Sequence, residues 1–299
     1  MKSLRLTALV IALALLAPAA ALAGGSSSSY TCNTKYPVIL SHGMGAQAQI
    51  LGIIDYWWGI EPALEDEGAN VYITSVNGMD STATKAAAWK KQLLQILAVT
   101  GKAKANVIGH SHGTIYTRYA MTNLGCAGKV ATHTSIAGPH KGSSVANLMV
   151  YDLNSAVSML TTDALDFIYT FLFGDTNPDT RQNLYDLCTD YMQNVFNPKT
   201  PNCSGVYYQS WAAKAKWATP NIFFMPTWLY MLAKEGDNDG LVSVNSAKWG
   251  TFRGVQQAAW WSPGCDHLTI VGLMFGITPG FDAPDFYVDV VSDLKKKGY

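Results

Sequence analysis

Asn106-Val107-Ile108-Gly109-His110-Ser111-His112-Gly113, followed by Thr114 to Met121, is the stretch whose reading decides the fold. A short apolar run leads into a G-x-S-x-G pentapeptide, and a segment with helix-like character leads out of it. On a sharp strand-to-helix turn a serine exposes its hydroxyl, and the flanking glycines leave room for the close crossing of backbone and helix. The pentapeptide alone is weak, since composition produces it in about one chain in ten of this length. Its strand–turn–helix setting, and the partners found farther along, make Ser111 a candidate nucleophile.

Outward from this point, strand and helix signals alternate. Val38-Ile39-Leu40, Val71 to Val76, Val107-Ile108 and Val130 to Ile136 read as buried strands. Ser81 to Val99 reads as a helix with Asp80 or Ser81 as its cap and Gly101 near its end, and the Thr114 to Met121 helix ends near Gly125. This alternation predicts an α/β fold: a mostly parallel central sheet with helices on both faces. Ligands bind at loops on the carboxyl ends of such strands. Ser111 sits on one such loop, and so do His42-Gly43-Met44 and Gly138-Pro139-His140.

A serine hydroxyl needs a base to take its proton, and that base needs a carboxylate to fix its tautomer. On this kind of sheet the order along the chain is Ser, then Asp or Glu, then His. Of the six histidines, His42, His110 and His112 lie in tight turns, His133 lies inside a strand, and His140 follows Pro139; His267 alone comes late. Upstream of it, Asp237-Asn238-Asp239-Gly240 forms a polar turn leading into Leu241-Val242. Asp239 abuts the glycine of that turn and is the preferred carboxylate, with Asp237 and Asp266 read as solvated loop charges.

Residues 1–23 read as a signal peptide: a basic end with Lys2 and Arg5, an apolar core from Leu6 to Ala17, and a small-residue site at Ala21-Leu22-Ala23. Secretion to the extracellular space through the periplasm is therefore expected. Residues 24–29 read as a flexible leader, and residues 24–299 as a single catalytic domain, because no linker or repeat divides them. With Lys2 and Arg5 removed, 19 basic residues face 21 acidic ones. That balance gives no reason to expect a nucleic-acid partner. Charged residues make up only 14% of the chain, against about a quarter in ordinary domains, so the surface can meet an apolar partner. The five cysteines, Cys32, Cys126, Cys188, Cys203 and Cys265, predict disulfides in an exported chain, with Cys188–Cys203 the closest pair. With no C-x-x-C or histidine cluster beside them, a zinc site is not expected.

Several blocks together resemble the secreted triacylglycerol lipases of the Pseudomonas and Burkholderia type, within the α/β-hydrolase superfamily. They are Tyr36-Pro37-Val38-Ile39-Leu40-Ser41-His42-Gly43-Met44, Asp55-Tyr56-Trp57-Trp58-Gly59-Ile60, the pentapeptide at 109–113, Gly138-Pro139-His140-Lys141-Gly142-Ser143, Asn238-Asp239-Gly240-Leu241-Val242 and His267-Leu268. The resemblance implies an α/β-hydrolase fold with Ser111 as nucleophile, Asp239 as carboxylate and His267 as base. It also implies an oxyanion hole made by the backbone N–H groups of Met44 and His112, two donors placed where a tetrahedral oxyanion develops. Dependence on a dedicated foldase during maturation is implied in the same way.

Two departures from that family stand out. Its calcium site uses an aspartate two residues after the catalytic histidine, where this chain has Thr269, and a further upstream carboxylate; no Asp or Glu lies between Asp190 and Glu235. A hard cation needs several oxygen ligands, usually including carboxylates, so no metal and no other cofactor is expected. The family's disulfide loses a partner too, because Cys203 falls near its first half and Asn245 occupies its second. A disulfide from Cys265 to Cys32 or Cys126 would then anchor the His267 loop in place of the ion.

Residues 145–173 carry three acids, no base and many Leu, Met, Val, Phe and Tyr. This suits core helices, and the resemblance makes the region 145–175 a lid and acyl-binding wall that opens at a lipid interface. The expected activity is ester hydrolysis through an acyl-enzyme on Ser111, acting on triacylglycerols. A carboxylesterase or polyester hydrolase for short or polymeric esters is the enzymatic alternative, and a non-catalytic secreted binding protein on the same fold the remote one.

Overall fold

The computed structural model describes residues 30–44, 49–50, 54–152, 179–272 and 278–299. The expected signal peptide and leader, and residues 153–175 of the expected lid region, lie outside them.

Six strands form one parallel sheet: β1 (Val38–Ser41), β2 (Val71–Thr74), β3 (Ala105–His110), β4 (Val130–Ile136), β5 (Tyr207–Ala213) and β6 (Thr251–Gln256), in the order β2-β1-β3-β4-β5-β6. The central strands β1, β3 and β4 are buried at every residue. A parallel sheet covered by helices on both faces requires this, and it explains why these strands read as near-continuous apolar runs. Alternate side chains feed two cores. Ile39 and Val107 point to the face covered by α2 (Thr82–Thr100) and α3 (His112–Asn123), with Trp89 and Tyr116. Val38, Leu40 and Ile108 point to the opposite face, with Tyr287 and Val291 of the C-terminal helix. That face also carries the packed pair α1 (Ile60–Asp66) and C-terminal helix, Ala283–Lys296.

The long helix α2 begins one residue after Ser81, whose hydroxyl caps it by accepting the Thr84 N–H, and ends at Gly101 with φ 65°. Both ends match the sequence signals. The register sets Ser41 beside Gly109 and Gly109 beside Ser135. The loops that leave the carboxyl ends of β1, β3 and β4 therefore emerge side by side, and order along the sheet reverses at β1.

The cysteines depart from expectation. All five are unpaired thiols. Cys188 donates to the Leu184 carbonyl and Cys203 lies beside Thr122, so the pair closest in sequence is not bonded. Cys32 faces the Val288 carbonyl, Cys126 the Leu124 carbonyl, and Cys265 the Thr269 hydroxyl. Each thiol has a partner of its own, none of them another cysteine. The His267 loop is thus held without the disulfide expected at Cys265.

Candidate active site

Ser111 stands between β3 and α3 with φ 54° and ψ −129°. A non-glycine residue in such a conformation stores about 1–3 kcal/mol of strain and persists only where its surroundings over-determine it. Here its N–H donates to the Ile136 carbonyl at 3.0 Å, and its carbonyl accepts from the Thr114 N–H at 3.1 Å and the Thr114 hydroxyl at 2.8 Å. The two flanking glycines are required by space. A Cβ on Gly113 would lie 2.2 Å from the Ser41 carbonyl oxygen, and one on Gly109 would lie 2.8 Å from the backbone of Gly113 and Thr114.

Asp239 and His267 are brought together from turns 28 residues apart. His267 Nδ1 donates to Asp239 Oδ2 at 2.8 Å, and the His267 N–H donates to the Asp239 carbonyl at 2.9 Å. The other carboxylate oxygen, Oδ1, accepts from the N–H groups of Leu241 at 3.0 Å and Val242 at 2.7 Å. Both residues are buried. With Nδ1 committed to the carboxylate, His267 Nε2 is the atom left to take a proton. Ser111 and His267 line the same pocket, together with Met44 and Pro139.

The alternative carboxylates separate cleanly. Asp237 is exposed and paired with Lys214 at 2.6 Å, away from the imidazole. Asp266 is not a solvated loop charge as expected: its side chain is completely buried and accepts three backbone N–H groups, from Asn221, Leu268 and Thr269. Burial pushes its carboxyl up to about 6, with those N–H groups pulling the other way.

Met44, expected with His112 as an oxyanion donor, lines the pocket on the loop after β1. His112 is the first residue of α3, so its N–H belongs to the first-turn donors that a helix leaves unsatisfied. The His112 side chain does not serve: Lys85 Nζ donates to its Nδ1 at 3.1 Å, and its Nε2 faces the Thr82 hydroxyl at 2.8 Å. Lys85 is wholly buried and also donates to the Gly78 carbonyl and Asn183 Oδ1. Burial pushes its ammonium down to about 7. The Thr82 N–H donates to Asp186 Oδ2, which ties the start of α2 to the segment after helix Thr180–Tyr185.

Two groups that sequence reading missed brace the loop after β1. Tyr56 Oη accepts the Gly43 N–H at 3.0 Å and donates to His110 Nδ1 at 2.5 Å. Gly43 is pressed so close that a Cβ would stand 2.8 Å from Ser111 Cβ. The signal was available, since Tyr56 belongs to an aromatic block and His110 precedes the serine, but nothing local pairs residues 54 apart. His140, on the loop after β4, turns away from the pocket: its ring stacks on Trp249 and its nitrogens meet Arg118 and Ser135.

The pocket wall is apolar. Helix Ser144–Tyr151 contributes Val145, Ala146 and Met149, and Leu184, Leu187, Leu241 and Val242 complete it. At the histidine turn the Thr269 hydroxyl accepts the Asp266 N–H at 2.8 Å, and the Asp266 oxygens accept three backbone N–H groups.

The chain belongs to the α/β-hydrolase fold family, whose model matches residues 36–203. Within that family it is similar to triacylglycerol lipase 2 of Saccharomyces cerevisiae, 30% identical over 268 residues that cover 82% of this chain and 75% of that one. It is also similar to a triacylglycerol lipase of Burkholderia plantarii, 37% identical over 119 residues, 39% of this chain and 33% of that one. Among solved structures, a lipase of Bacillus licheniformis in its mature form superposes with TM-score 0.62 at 19% identity, over 81% of this chain and 90% of that one, a likeness of fold.

Proposed function

We propose that this chain is a serine ester hydrolase of the lipase kind, with Ser111 as nucleophile, His267 as base and Asp239 as its carboxylate. The observation that carries the reading is His267, bonded to Asp239 behind it, opening with Ser111 onto one apolar pocket. Ser111 Oγ attacks the ester carbonyl as His267 Nε2 takes its proton. The N–H groups of Met44 and His112 receive the oxyanion. Collapse of the tetrahedral species expels the alcohol, protonated by His267, and leaves the acyl group on Ser111. Water, deprotonated by His267, then releases the acid and restores the serine. Asp239 stabilises the imidazolium.

Triacylglycerols as substrate are supported by the relatives and by apolar side chains on the surface, among them Ile222, Leu229 and Leu232. Export directed by residues 1–23, maturation with a foldase, and a lid within residues 145–175 complete the proposal. Catalysis without calcium is supported by the occupied oxygens around Thr269. A series of p-nitrophenyl esters with an emulsified triglyceride tests it: activity should rise sharply as substrate passes from monomer to emulsion. Smooth saturation on short esters alone would make the enzyme a carboxylesterase, and failure of Ser111 to label with an organophosphonate would remove the catalytic reading.

A further inference from the structure

We infer that Asp266 is a positioning residue for His267, fastening the histidine turn to the segment that packs on the Asp239 turn. The inference rests on the reading of Ser111, Asp239 and His267 as the reacting groups. A base and its carboxylate carried on separate turns need more than one point of attachment. The His267 N–H to the Asp239 carbonyl is one, at 2.9 Å, and the Lys214–Ala215 segment bridges the two turns farther back, accepting the Cys265 N–H at Lys214 and donating the Ala215 N–H to the Asn238 carbonyl; neither fixes the turn on the far side of the histidine.

Asp266 supplies a further point from the position immediately before His267. Its Oδ1 accepts the Leu268 N–H at 3.1 Å and the Thr269 N–H at 3.0 Å, which shapes the turn on the far side of the histidine. Its Oδ2 leaves the turn altogether and accepts the Asn221 N–H at 2.6 Å, 45 residues away in sequence. The segment reached is not arbitrary. Phe224, three residues on, sits against Gly240, where a Cβ would come within 2.9 Å of Phe224 Cβ. Gly240 follows Asp239 with φ 99°. The Asp266 carboxylate therefore closes a ring: histidine turn to Asn221, Asn221 segment to Gly240, Gly240 turn to Asp239, and Asp239 back to His267.

An ionised carboxylate buried on all sides is costly unless its acceptors are filled, and here three N–H groups fill them. Near-attack geometry falls off steeply with displacement, about 100-fold in rate for a 1 Å misplacement. Asparagine at 266 keeps the shape and can still accept inside the turn. Its Nδ2 would face the Asn221 N–H, donor against donor, so the ring opens at that bond.

The test compares the full-length wild type with Asp266→Asn by kcat and KM on a soluble p-nitrophenyl ester, by melting temperature, and by the downfield proton resonance of the His267–Asp239 hydrogen bond. The expected result is kcat lower by roughly tenfold or more with KM within about twofold, and a shifted or lost downfield resonance. Wild-type kcat and resonance would overturn the inference. An unchanged resonance with kcat and melting temperature falling together would overturn it also, leaving Asp266 as scaffold. Should Asp266→Asn fail to fold, Asn221→Pro removes the N–H that Asp266 accepts from outside its own turn, along with the Asn221 side-chain cap on Phe223, and is judged by the same readouts. Ser111→Ala or His267→Ala with wild-type activity would sink the proposed function instead.

Discussion

His110 and His267 lie ring against ring, with centroids 4.7 Å apart and planes inclined at 43°. The residue before the nucleophile thus supports the candidate base, and His110 is itself held by Tyr56, which also holds Gly43. One phenol hydroxyl joins the loop of the oxyanion donor to the imidazole behind the base.

Tyr56→Phe removes that junction and leaves the Gly43 N–H and His110 Nδ1 unpaired in the interior. Each buried group so stranded costs about 1–3 kcal/mol. The expected outcome is a lower denaturation midpoint together with a kcat drop of roughly tenfold. Phe variants with unchanged kcat would show that the junction serves stability alone.

Ser111→Ala and His267→Ala should each remove nearly all activity, and the double variant should lose no more than either, because the groups act as one unit. Asp239→Asn should lower kcat by orders of magnitude through the wrong imidazole tautomer, roughly 10⁴-fold in the protease precedent. Asp237→Asn, which breaks only the exposed contact to Lys214, should be close to wild type. The reverse ranking would move the carboxylate role to Asp237.

Gly43→Ala tests the crowding at the nucleophile. Its Cβ would meet Ser111 Cβ at 2.8 Å and the Tyr56 oxygen at 2.9 Å. Because the strain falls on Ser111 and its neighbouring loop, organophosphonate labelling should slow by roughly 100-fold while the far-ultraviolet circular dichroism stays native. Labelling at the wild-type rate would mean that the loop gives way freely.

Acid should destabilise this fold early. Burial holds His42 down to about 4 and His133 to about 3, and His110, His112 and His140 well below their ordinary value. The unfolded chain takes up these protons near pH 6.5 and the folded one does not. The histidines' contribution to stability is therefore complete above about pH 6.5 and is lost as pH falls toward 4, by up to about 1.4 kcal/mol per pH unit for each proton withheld. Asp266 works the other way, since its raised carboxyl binds a proton in the fold first, between about 6 and its ordinary value. Five groups against one predict a falling melting temperature from pH 6.5 downward; a flat profile to pH 5 would contradict the buried neutral histidines.

What could be read from sequence was what announces itself locally. Gly109 and Gly113 around Ser111, the Asp239-Gly240 turn, and the capped helix from Ser81 to Gly101 each carry their own signature, and the structure keeps them with shifts of a residue or two. Strands β5 and β6 went unread: β5 interleaves Gln209 and Ser210 with aromatics, and β6 is a half-exposed edge carrying Arg253 and Gly254. Supports that span the chain were also invisible. Lys85 reaches Asn183, Tyr56 reaches His110, and Asp266 reaches Asn221, and no spacing rule joins such partners. The expected Cys188–Cys203 pair failed for the same reason, since proximity along the chain says little about which element each thiol faces.

The unpaired thiols turn this protein into its own conformational probe. Four of them are buried, and burial raises the thiols of Cys32, Cys126, Cys188 and Cys265, that of Cys188 to about 12. A thiol so placed offers almost no thiolate to an alkylating reagent until its surroundings open. A reductant should leave the melting temperature where it was. Labelling should then proceed as one fast event at the partly exposed Cys203 and four slow ones, each clocking the opening of a different part: the C-terminal helix at Cys32, the end of α3 at Cys126, the pocket wall at Cys188 and the histidine turn at Cys265.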